Sequence, residues 1–350
     1  MKISIGTKIK EGPWGGGNLF AINLRNHLIN NGHTVTNNLE DDDIDLILIT
    51  EPRKTSESSS FTHVDVLKYR DLVKQDVLVV HRVNECDERK NTNFVNQYLM
   101  EANQIADYTV FVSNWLLETY LDQGLNNKNN YVILSGANSE VFNKEGFNEW
   151  DGKSKLKIVT HHWGAHWNKG FNIYEKLDSL LGEDEYKDKI EFNYIGNLPK
   201  KFKFKNSKVT KPLSGKLLAD EIKKNNLYLT ASINEPSGNH HIEGAQCGLP
   251  ILFINSGGTP EYFNGFGIQF EEGNFENKLN EMIKNYSKYI KKIKKYPHTS
   301  EIMCENYLDL FNKIYQDKEE VIKNREKTPK VNFVDGFIFK ISRRVNKYLK

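Results

Sequence analysis

The chain has 350 residues, which is more than one ordinary domain holds and suits two domains of typical size. The formal net charge is only +2, so no overall electrostatic field favours the binding of nucleic acid, and no nucleic-acid partner is expected. Three widely spaced cysteines provide neither a disulfide framework nor a paired-cysteine metal site, which favours a reducing cytoplasm. No stretch of about 18 apolar residues occurs, so neither a cleaved signal nor a membrane-spanning helix is predicted.

Short apolar segments alternate with longer helical patterns through the first half of the chain. Strands are predicted at 3–6, 44–50, 77–83, 108–112 and 131–134, and helices at 19–30, 94–106 and 114–123. This alternation is typical of a parallel sheet with crossover helices. The first half therefore predicts one wound α/β unit, which is followed by a polar, glycine-containing stretch at 143–154.

The same alternation restarts after that stretch. Strands are predicted at 156–160, 190–195, 227–232, 251–254 and 268–270, and helical patterns follow at 275–293 and 301–324. We therefore predict an α/β fold with two Rossmann-like doubly wound domains facing a central cleft. The predicted boundaries are 1–145 for the first domain, 155–310 for the second, and 311–350 for a C-terminal helical segment. Ligand loops at the carboxyl ends of parallel strands place the chemistry in the cleft.

The segment 235–250 (EPSGNHHIEGAQCGLP) joins a predicted strand to a short helix and a second strand. Pro236–Gly238 supplies the turn and leaves N–H groups of the helix free, where an anion such as a diphosphate is favoured. Glu235 lies at the mouth of this loop. Glu243, one and a half turns into the helix, is placed to accept hydrogen bonds from the hydroxyls of a ligand. The segment therefore predicts a site that holds a phosphate and a polyol together.

Four segments, in this order along the chain, resemble motifs of retaining glycosyltransferases of family 4, whose fold is GT-B. Residues 235–243 resemble the E-x7-E signature of that family, and Asn255–Phe263 resembles the loop that follows it. His161–Phe171 resembles the segment whose lysine meets the diphosphate of the donor, and Gly12–Asn18 resembles the glycine-rich loop of the first domain. The resemblance implies transfer of a sugar from a nucleotide-diphosphate donor, bound by the second domain, to an acceptor hydroxyl with retention at the anomeric carbon. It also implies a C-terminal helix that crosses back onto the first domain.

The resemblance implies a role for each residue that matches these motifs. Lys169 would stabilise the leaving diphosphate, Glu243 would bind the ribose, and His81 would lie beside the transferred sugar. The implied catalytic residues are His81, Lys169 and Glu235, and the implied donor-binding residues are Gly15, Gly16, Gly17, His162, Gly238, Asn239, Glu243, Gly257, Gly258 and Thr259.

The sequence departs from the family at one cationic position. Family members pair the lysine that corresponds to Lys169 with an arginine five residues earlier, and that position here is Gly164. The departure puts the usual pair of cations on the diphosphate in doubt. His162, His166 or backbone N–H groups are the substitutes that the sequence offers.

Several of these residues also have simpler explanations. A histidine that ends a strand, as His81 is predicted to do, is more often structural, and a run of glycines such as Gly15–Gly17 is often a flexible turn. The family needs no bound metal, so neither a metal site nor a cofactor is expected, and the nucleotide-diphosphate sugar is a substrate. The acidic run Asp41–Asp45 is more simply a solvated turn than a metal site.

Two questions stay open at the level of the sequence. The tail Phe337–Lys350 places Phe337, Ile341 and Val345 on one helical face and basic residues elsewhere, which suits either an anionic membrane surface or packing on the first domain. The acceptor is a glycan or a lipid-linked molecule. A nucleotide-sugar epimerase, a phosphorylase and a catalytically silent glycan-binding subunit are the alternatives to a transferase, because one fold hosts several functions.

Overall fold

A computed structural model of the protein describes residues 1–10, 15–326, 328, 331, 335–339, 341 and 343. Within these residues the chain forms two parallel six-stranded sheets, and each sheet carries hydrophobic cores on both of its faces. The predicted α/β class, with two Rossmann-like domains facing a central cleft, is confirmed.

The first domain alternates strands and helices along the chain. Its strands are β1 (Lys2–Ile5), β2 (Thr34–Thr36), β3 (Leu46–Ile49), β4 (Leu78–Val83), β5 (Tyr108–Phe111) and β6 (Asn130–Val132). Its helices are α1 (Gly16–Asn30), α2 (His63–Leu72), α3 (Asp87–Lys90), α4 (Val95–Asn103) and α5 (Asn114–Asp122). The strands pair in the order β2-β1-β3-β4-β5-β6. Because helices cover both faces, β3 and β4 are buried at every position instead of alternating between buried and exposed.

The second domain repeats this plan. Its strands are β7 (Leu156–His162), β8 (Ile190–Gly196), β9 (Lys208–Thr210), β10 (Leu227–Thr230), β11 (Ile251–Ile254) and β12 (Gly267–Phe270), paired in the order β12-β11-β10-β7-β8-β9. Its helices are α6 (Phe171–Leu180), α7 (Gly215–Ile222), α8 (Asn239–Gln246), α9 (Thr259–Phe263), α10 (Phe275–Lys284) and α11 (Tyr286–Ile293). The loops that follow β7, β10 and β11 carry the motifs identified in the sequence.

The predicted strands match the interior of each sheet but omit two edge strands. β2 and β9 lie outside the strands predicted from the sequence, and each has three residues that are exposed or half-buried. Edge strands have one neighbour and need little apolar surface, so the apolar pattern that reveals interior strands is missing from them.

The chain returns to the first domain after the second sheet. Helix α12 (Ser300–Gln316) buries Tyr307 and Phe311 in the same core as Phe20 of α1, and the rings of Phe20 and Tyr307 lie 5.2 Å apart. The sequence divided the second domain from the C-terminal helical segment at residue 310, which lies inside α12. Helix α13 (Lys318–Lys323) follows, and Arg325 then forms two hydrogen bonds with the buried carboxylate of Asp107.

Beyond α13 the structure describes part of the C-terminal tail. Residues 335–339 are helical, and Arg343 donates hydrogen bonds to the carbonyls of Leu39 and Glu40 in the first domain. The remaining residues of the tail, 340, 342 and 344–350, lie outside the described part. No helix in the described ranges is both long and apolar enough to cross a bilayer.

Candidate functional site

The two domains meet across the cleft at the carboxyl ends of their strands. The Glu261 carboxylate at the start of α9 accepts hydrogen bonds from the backbone N–H groups of Asn114 and Trp115, at 2.7 Å each, and so caps α5 of the other domain. The hydroxyl of Tyr262 donates to the carbonyl of Val112 at 2.6 Å. These contacts hold the domains together at one end of the cleft.

Glu235 is the buried carboxylate at the centre of the interface. It lies after β10, is 2% exposed, and each of its oxygens meets a different cation. Lys169 Nζ lies 2.5 Å from Oε2, and Arg89 Nε lies 2.8 Å from Oε1. Lys169 belongs to the second domain and Arg89 to α3 of the first domain. The structure therefore brings together the two sequence-predicted residues Glu235 and Lys169, and adds Arg89.

The electrostatics of this group follow from burial and pairing. Burial alone would raise the pKa of Glu235, but the charges of Arg89 and Lys169 outweigh it and lower that pKa to about 2. The pKa of Arg89 is raised, first by Glu235. Burial lowers the pKa of Lys169 below its ordinary value, and the Glu235 carboxylate opposes that shift. Glu235 is therefore an anion at neutral pH.

The ion pairs continue into the first domain as a chain of alternating charges. Glu85, which follows β4, accepts from Arg89 at 2.7 Å and from Lys90 at 2.5 Å, and lies 3.9 Å from Arg53. Arg53 in turn forms a two-pronged pair with Glu51. We call these residues the bridging network, and its members are Glu51, Arg53, Glu85, Arg89, Lys90, Lys169 and Glu235.

Glu243 lies in α8 and is buried against the end of β7. Its Oε2 lies 2.8 Å from Nε2 of His161, whose Nδ1 lies 3.0 Å from the hydroxyl of Tyr228. Tyr228 packs beneath Gly244, where a Cβ atom would come within 2.2 Å of the tyrosine ring. The position of the Glu243 carboxylate is thus fixed by a neighbouring histidine and by a close approach of helix to sheet.

The N-terminus of α8 is organised by histidines. The N–H of Gly238 donates to Nε2 of His241 at 3.1 Å, so this amide is already bonded within the helix. The sequence predicted a free N–H here, and a phosphate would have to compete with His241 or use the amide of Asn239. A Cβ atom at Gly238 would meet His240 at 2.5 Å, so only glycine fits.

A group of neutral histidines supports this helix end from below. His162 bonds the hydroxyl of Tyr174 at 2.8 Å, and its ring lies 4.4 Å from that of His240. Burial lowers the pKa of His162 and that of His240 well below the ordinary value of 6.5, and lowers that of His241 to about 3. His162 therefore lies beneath the loop as a buried support.

The loop after β11 packs directly on Glu235. The N–H of Gly258 donates to the carbonyl of Glu235 at 2.9 Å. Gly257 has a φ of 62°, and a Cβ atom there would lie 2.6 Å from the Glu235 backbone, so both its conformation and its contact require glycine. At Gly258 a Cβ atom would meet Ser113 of the first domain at 2.7 Å. Thr259 is fully buried at the start of α9.

The glycine-rich loop reaches the site from the first domain. Gly15 has a φ of 78°, and a Cβ atom at Gly16 would lie 2.9 Å from the amide of Asn239 in α8. A Cβ atom at Gly17 would meet nothing. Gly12 and the two residues after it lie outside the described residues. The loop therefore faces the N-terminus of α8 across the cleft.

His81 lies inside the first domain. Strand β4 continues to Val83, so His81 is within the strand and not at its end, and it is 0% exposed. Its Nδ1 lies 3.1 Å from the side-chain amide nitrogen of Asn103 in α4, which assigns the ring proton to Nε2. Burial, then the charge of His63, lowers the pKa of His81 to about 3. Among the described residues, Nε2 has no hydrogen-bond partner.

Residues that could bind a metal do not converge in the described part of the chain, where no three histidine, cysteine, aspartate or glutamate side chains form a ligand set. The residues that sequence reasoning left without a role are Arg89 and His161. Arg89 belongs to a dense polar segment after β4, which was a usable signal, but its partner, Glu235, lies 146 positions further along the chain. The pairing therefore depends on domain docking.

No protein-family model matches the sequence, and no curated protein matches it. Solved structures match its fold. A glycosyltransferase from Rickettsia africae ESF-5 aligns with a TM-score of 0.62 at 13% identity, over 92% of this chain and 99% of that one. HepE from Anabaena, in complex with UDP, aligns with a TM-score of 0.65 at 12% identity, over 89% and 100%. Sucrose-phosphate synthase from Thermosynechococcus elongatus aligns with a TM-score of 0.60 at 11% identity, over 90% and 99%. The chain therefore has the GT-B fold of these glycosyltransferases.

Proposed function

We propose that the protein is a retaining glycosyltransferase of the family 4 type, which moves a sugar from a nucleotide-diphosphate donor to an acceptor hydroxyl. The observation that carries the proposal is the convergence of Lys169 and Glu235 beside the N-terminus of α8, at the cleft of a GT-B fold. A cation at this place opposes the negative charge that develops on a departing nucleoside diphosphate.

The neighbouring residues support the remaining parts of a donor. Glu243 presents a carboxylate that His161 holds in place, and it can accept hydrogen bonds from a ribose. The loop at Gly257 and Gly258 packs directly against Glu235, and we assign its contact with the sugar of the donor to this place. HepE, whose fold this chain shares, was solved with UDP and with UDP-glucose, which makes uridine nucleotides the first donors to test.

Retention and metal independence form the finer part of the proposal. Glu235 has a pKa of about 2, so it is ionised at neutral pH and unsuited to act as a general acid. The departing phosphate then takes the proton of the acceptor hydroxyl. Lys169 supplies the positive charge on the diphosphate, so turnover should survive EDTA. Loss of activity in EDTA with recovery in Mg²⁺ or Mn²⁺ would contradict metal independence.

The test begins with a donor screen. Thermal shifts are measured with UDP-, GDP-, ADP- and CDP-sugars, since a ligand at a hundred times its Kd stabilises the protein by about 2.7 kcal/mol. The nucleotide found is then assayed for release of free nucleoside diphosphate that depends on an acceptor glycan. The anomeric configuration of the product, measured by NMR, tests retention.

Each alternative gives a different result in the same assay. A changed sugar without nucleotide release identifies an epimerase, and a sugar phosphate formed from glycan and inorganic phosphate identifies a phosphorylase. Glycan binding without turnover of any donor identifies a silent subunit. Any of these three results would replace the proposed transfer reaction.

The acceptor side of the proposal concerns the C-terminal tail. Phe337 and Ile338 are 59% and 58% exposed, while Arg343 is fixed to the first domain and its guanidinium lies 5.3 Å from the centre of the Tyr69 ring. The described part of the tail is thus attached to the first domain and presents apolar side chains outward. We propose that these side chains contact an anionic membrane surface peripherally and bring a lipid-linked or glycan acceptor to the cleft.

A further inference from the structure

The bridging network places cations from two domains on one buried carboxylate. Lys169 and Arg89 approach Glu235 through separate oxygens, at 2.5 and 2.8 Å. Both cations therefore point at one small volume between the walls of the cleft. Charge-assisted hydrogen bonds of this kind form equally with carboxylate and phosphate oxygens, so the same two donors can accept a phosphate in place of Glu235.

We propose that Arg89 is the second cation of the donor site and that it binds the diphosphate of the nucleotide together with Lys169. This inference rests on the proposed function, and it concerns which residue completes the diphosphate site. The residue five positions before Lys169 is Gly164, which carries no charge, and Arg89 is the cation that the structure places beside Lys169 on Glu235. Glu235 occupies the place between the two cations.

The position of Arg89 is fixed by contacts on both sides of α3. The carboxylate of Asp87, the first residue of α3, accepts hydrogen bonds from the N–H groups of Val95 and Asn96 and thereby joins α3 to the start of α4. The amide of Asn234, next to Glu235, donates to the carbonyl of Glu88 at 3.2 Å across the domain interface. Helix α3 is therefore attached to its own domain and to the loop that carries Glu235.

Glu85 keeps the guanidinium directed into the cleft. It accepts from Nη1 of Arg89 at 2.7 Å, which leaves Nε and the other edge of the guanidinium for Glu235 or for a phosphate. Planar donors with two edges can serve two anions at once, whereas a lysine acts as a single point charge. Since Arg89 and Lys169 come from different domains, a diphosphate bound to both holds the cleft closed.

The experiment compares nucleoside diphosphate with the corresponding monophosphate. Calorimetry is performed with the diphosphates of uridine, guanosine, adenosine and cytidine, and the tightest binder of the wild-type protein is paired with its monophosphate. In R89Q the ratio of diphosphate to monophosphate affinity should fall by about tenfold, the effect of one lost charge-assisted contact, while monophosphate affinity stays within about twofold. K128Q is the control, because Lys128 is an exposed lysine of the first domain outside the bridging network, and it should keep the wild-type ratio.

The outcomes separate the two proposals. If the wild-type protein binds a diphosphate tightly and R89Q keeps the wild-type ratio, Arg89 is not in the site and the proposed function stands. If the wild-type protein binds none of the four diphosphates and releases none, the proposed function fails and Arg89 loses its role with it.

R89Q should fold, because Glu235 keeps Lys169 and Glu85 keeps Lys90 as partners. If R89Q does not fold, R89K is used instead, because it preserves the charge but removes the planar guanidinium. Its ratio of diphosphate to monophosphate affinity should lie between those of the wild type and a variant without charge. R89M, which keeps a long unbranched side chain but removes the charge, is measured beside R89K, and a wild-type ratio in R89M would overturn the inference.

Discussion

The two walls of the cleft hold their buried polar groups in opposite ways. The second domain uses neutral histidines that bond to hydroxyls of the same domain, such as His162 with Tyr174 and His240 with Thr230. The first domain contributes five of the seven charged residues of the bridging network, which runs through Arg53 and Glu85.

Buried neutral histidines and buried ion pairs lose their stabilising effect in different pH ranges. A buried neutral histidine has no charge to desolvate at pH 7, but unfolding lets it take a proton once the pH falls below about 6.5. An ion pair whose carboxylate has a pKa of about 2, as Glu235 does, keeps both charges throughout that range. Mild acid should therefore act mainly on the second domain, where three such histidines lie together, with a smaller contribution from His81 of the first domain, and it should leave the ion pairs of Glu235 intact.

The largest expected effect is acid destabilisation of the second domain. The folded-state pKa of His241 is about 3, and those of His162 and His240 are also lowered by burial. Because the lowered pKa belongs to the folded state, their stabilisation is complete above pH 6.5 and is lost as the pH falls toward the folded value. His241 should contribute a loss of at most about 2 kcal/mol between pH 6.5 and 5, and His162 and His240 should add losses of the same sign.

Urea unfolding at pH 7.5 and pH 5 measures this loss, with tryptophan fluorescence as the signal. The variant W14F/W115F confines the signal to the second domain, where Trp150, Trp163 and Trp167 remain. H241Q is the matched control, because glutamine can accept the hydrogen bond from Gly238 without titrating. Its free energy of unfolding should fall by about 2 kcal/mol less over this interval. Equal losses in H241Q and its parent would exclude His241 as a source.

The next largest effect is expected on removal of Lys169, the cation of the second domain. Lys169→Ala should lower kcat by about 10²- to 10³-fold, the usual result of removing one group that stabilises transition-state charge. KM for the donor should rise less, since the diphosphate gains charge as it leaves. Steady-state kinetics with the exposed Lys153→Ala as control test this expectation. A change confined to KM would assign Lys169 to donor binding alone.

The sequence predicted some parts of the site and not others. The segment with Glu235 and Glu243 could be read as a ligand loop because the strand, turn and helix are adjacent in the chain. The hydrogen bonds that a side chain makes could not be predicted in this way. The bond between the N–H of Gly238 and the ring of His241 is an example, although the two residues lie within a single turn. A helical period shows that position 241 is near the helix start, but it does not show the rotamer that brings the ring to the amide.

The fold was easier to predict than the site. Interior strands such as β3 and β11 are apolar runs, so burial on both faces reveals them. The domain interface was not visible in the sequence, because Glu261 binds α5 through backbone N–H groups that every residue possesses. The same limit applies to Arg89, whose charge is evident in the sequence and whose partner is set only by the docking of two domains.

A smaller effect is expected at the ribose position of the second wall. Glu243→Ala should weaken donor binding by roughly 1–3 kcal/mol, the range for a hydrogen bond with a charged acceptor. His161 keeps Tyr228 as a partner in this variant, so the sheet should stay intact. Calorimetry with the nucleotide found in the donor screen gives the measurement, and the exposed Glu272→Ala is the control. Unchanged affinity would remove Glu243 from the site.

The smallest effect per residue belongs to the tail on the first domain. Each Lys or Arg near an anionic bilayer contributes about 1 kcal/mol, so attachment through 337–350 should be reversible and should weaken with salt. The variant F337S/I338S should lose binding to anionic liposomes and keep activity on a soluble acceptor, since Arg343 still fixes the tail to Leu39 and Glu40. A chain that ends at residue 334 should behave alike. If that truncation instead lowers the Tm of the first domain, and the full chain does not bind anionic liposomes, the tail packs on the first domain and does not contact a membrane.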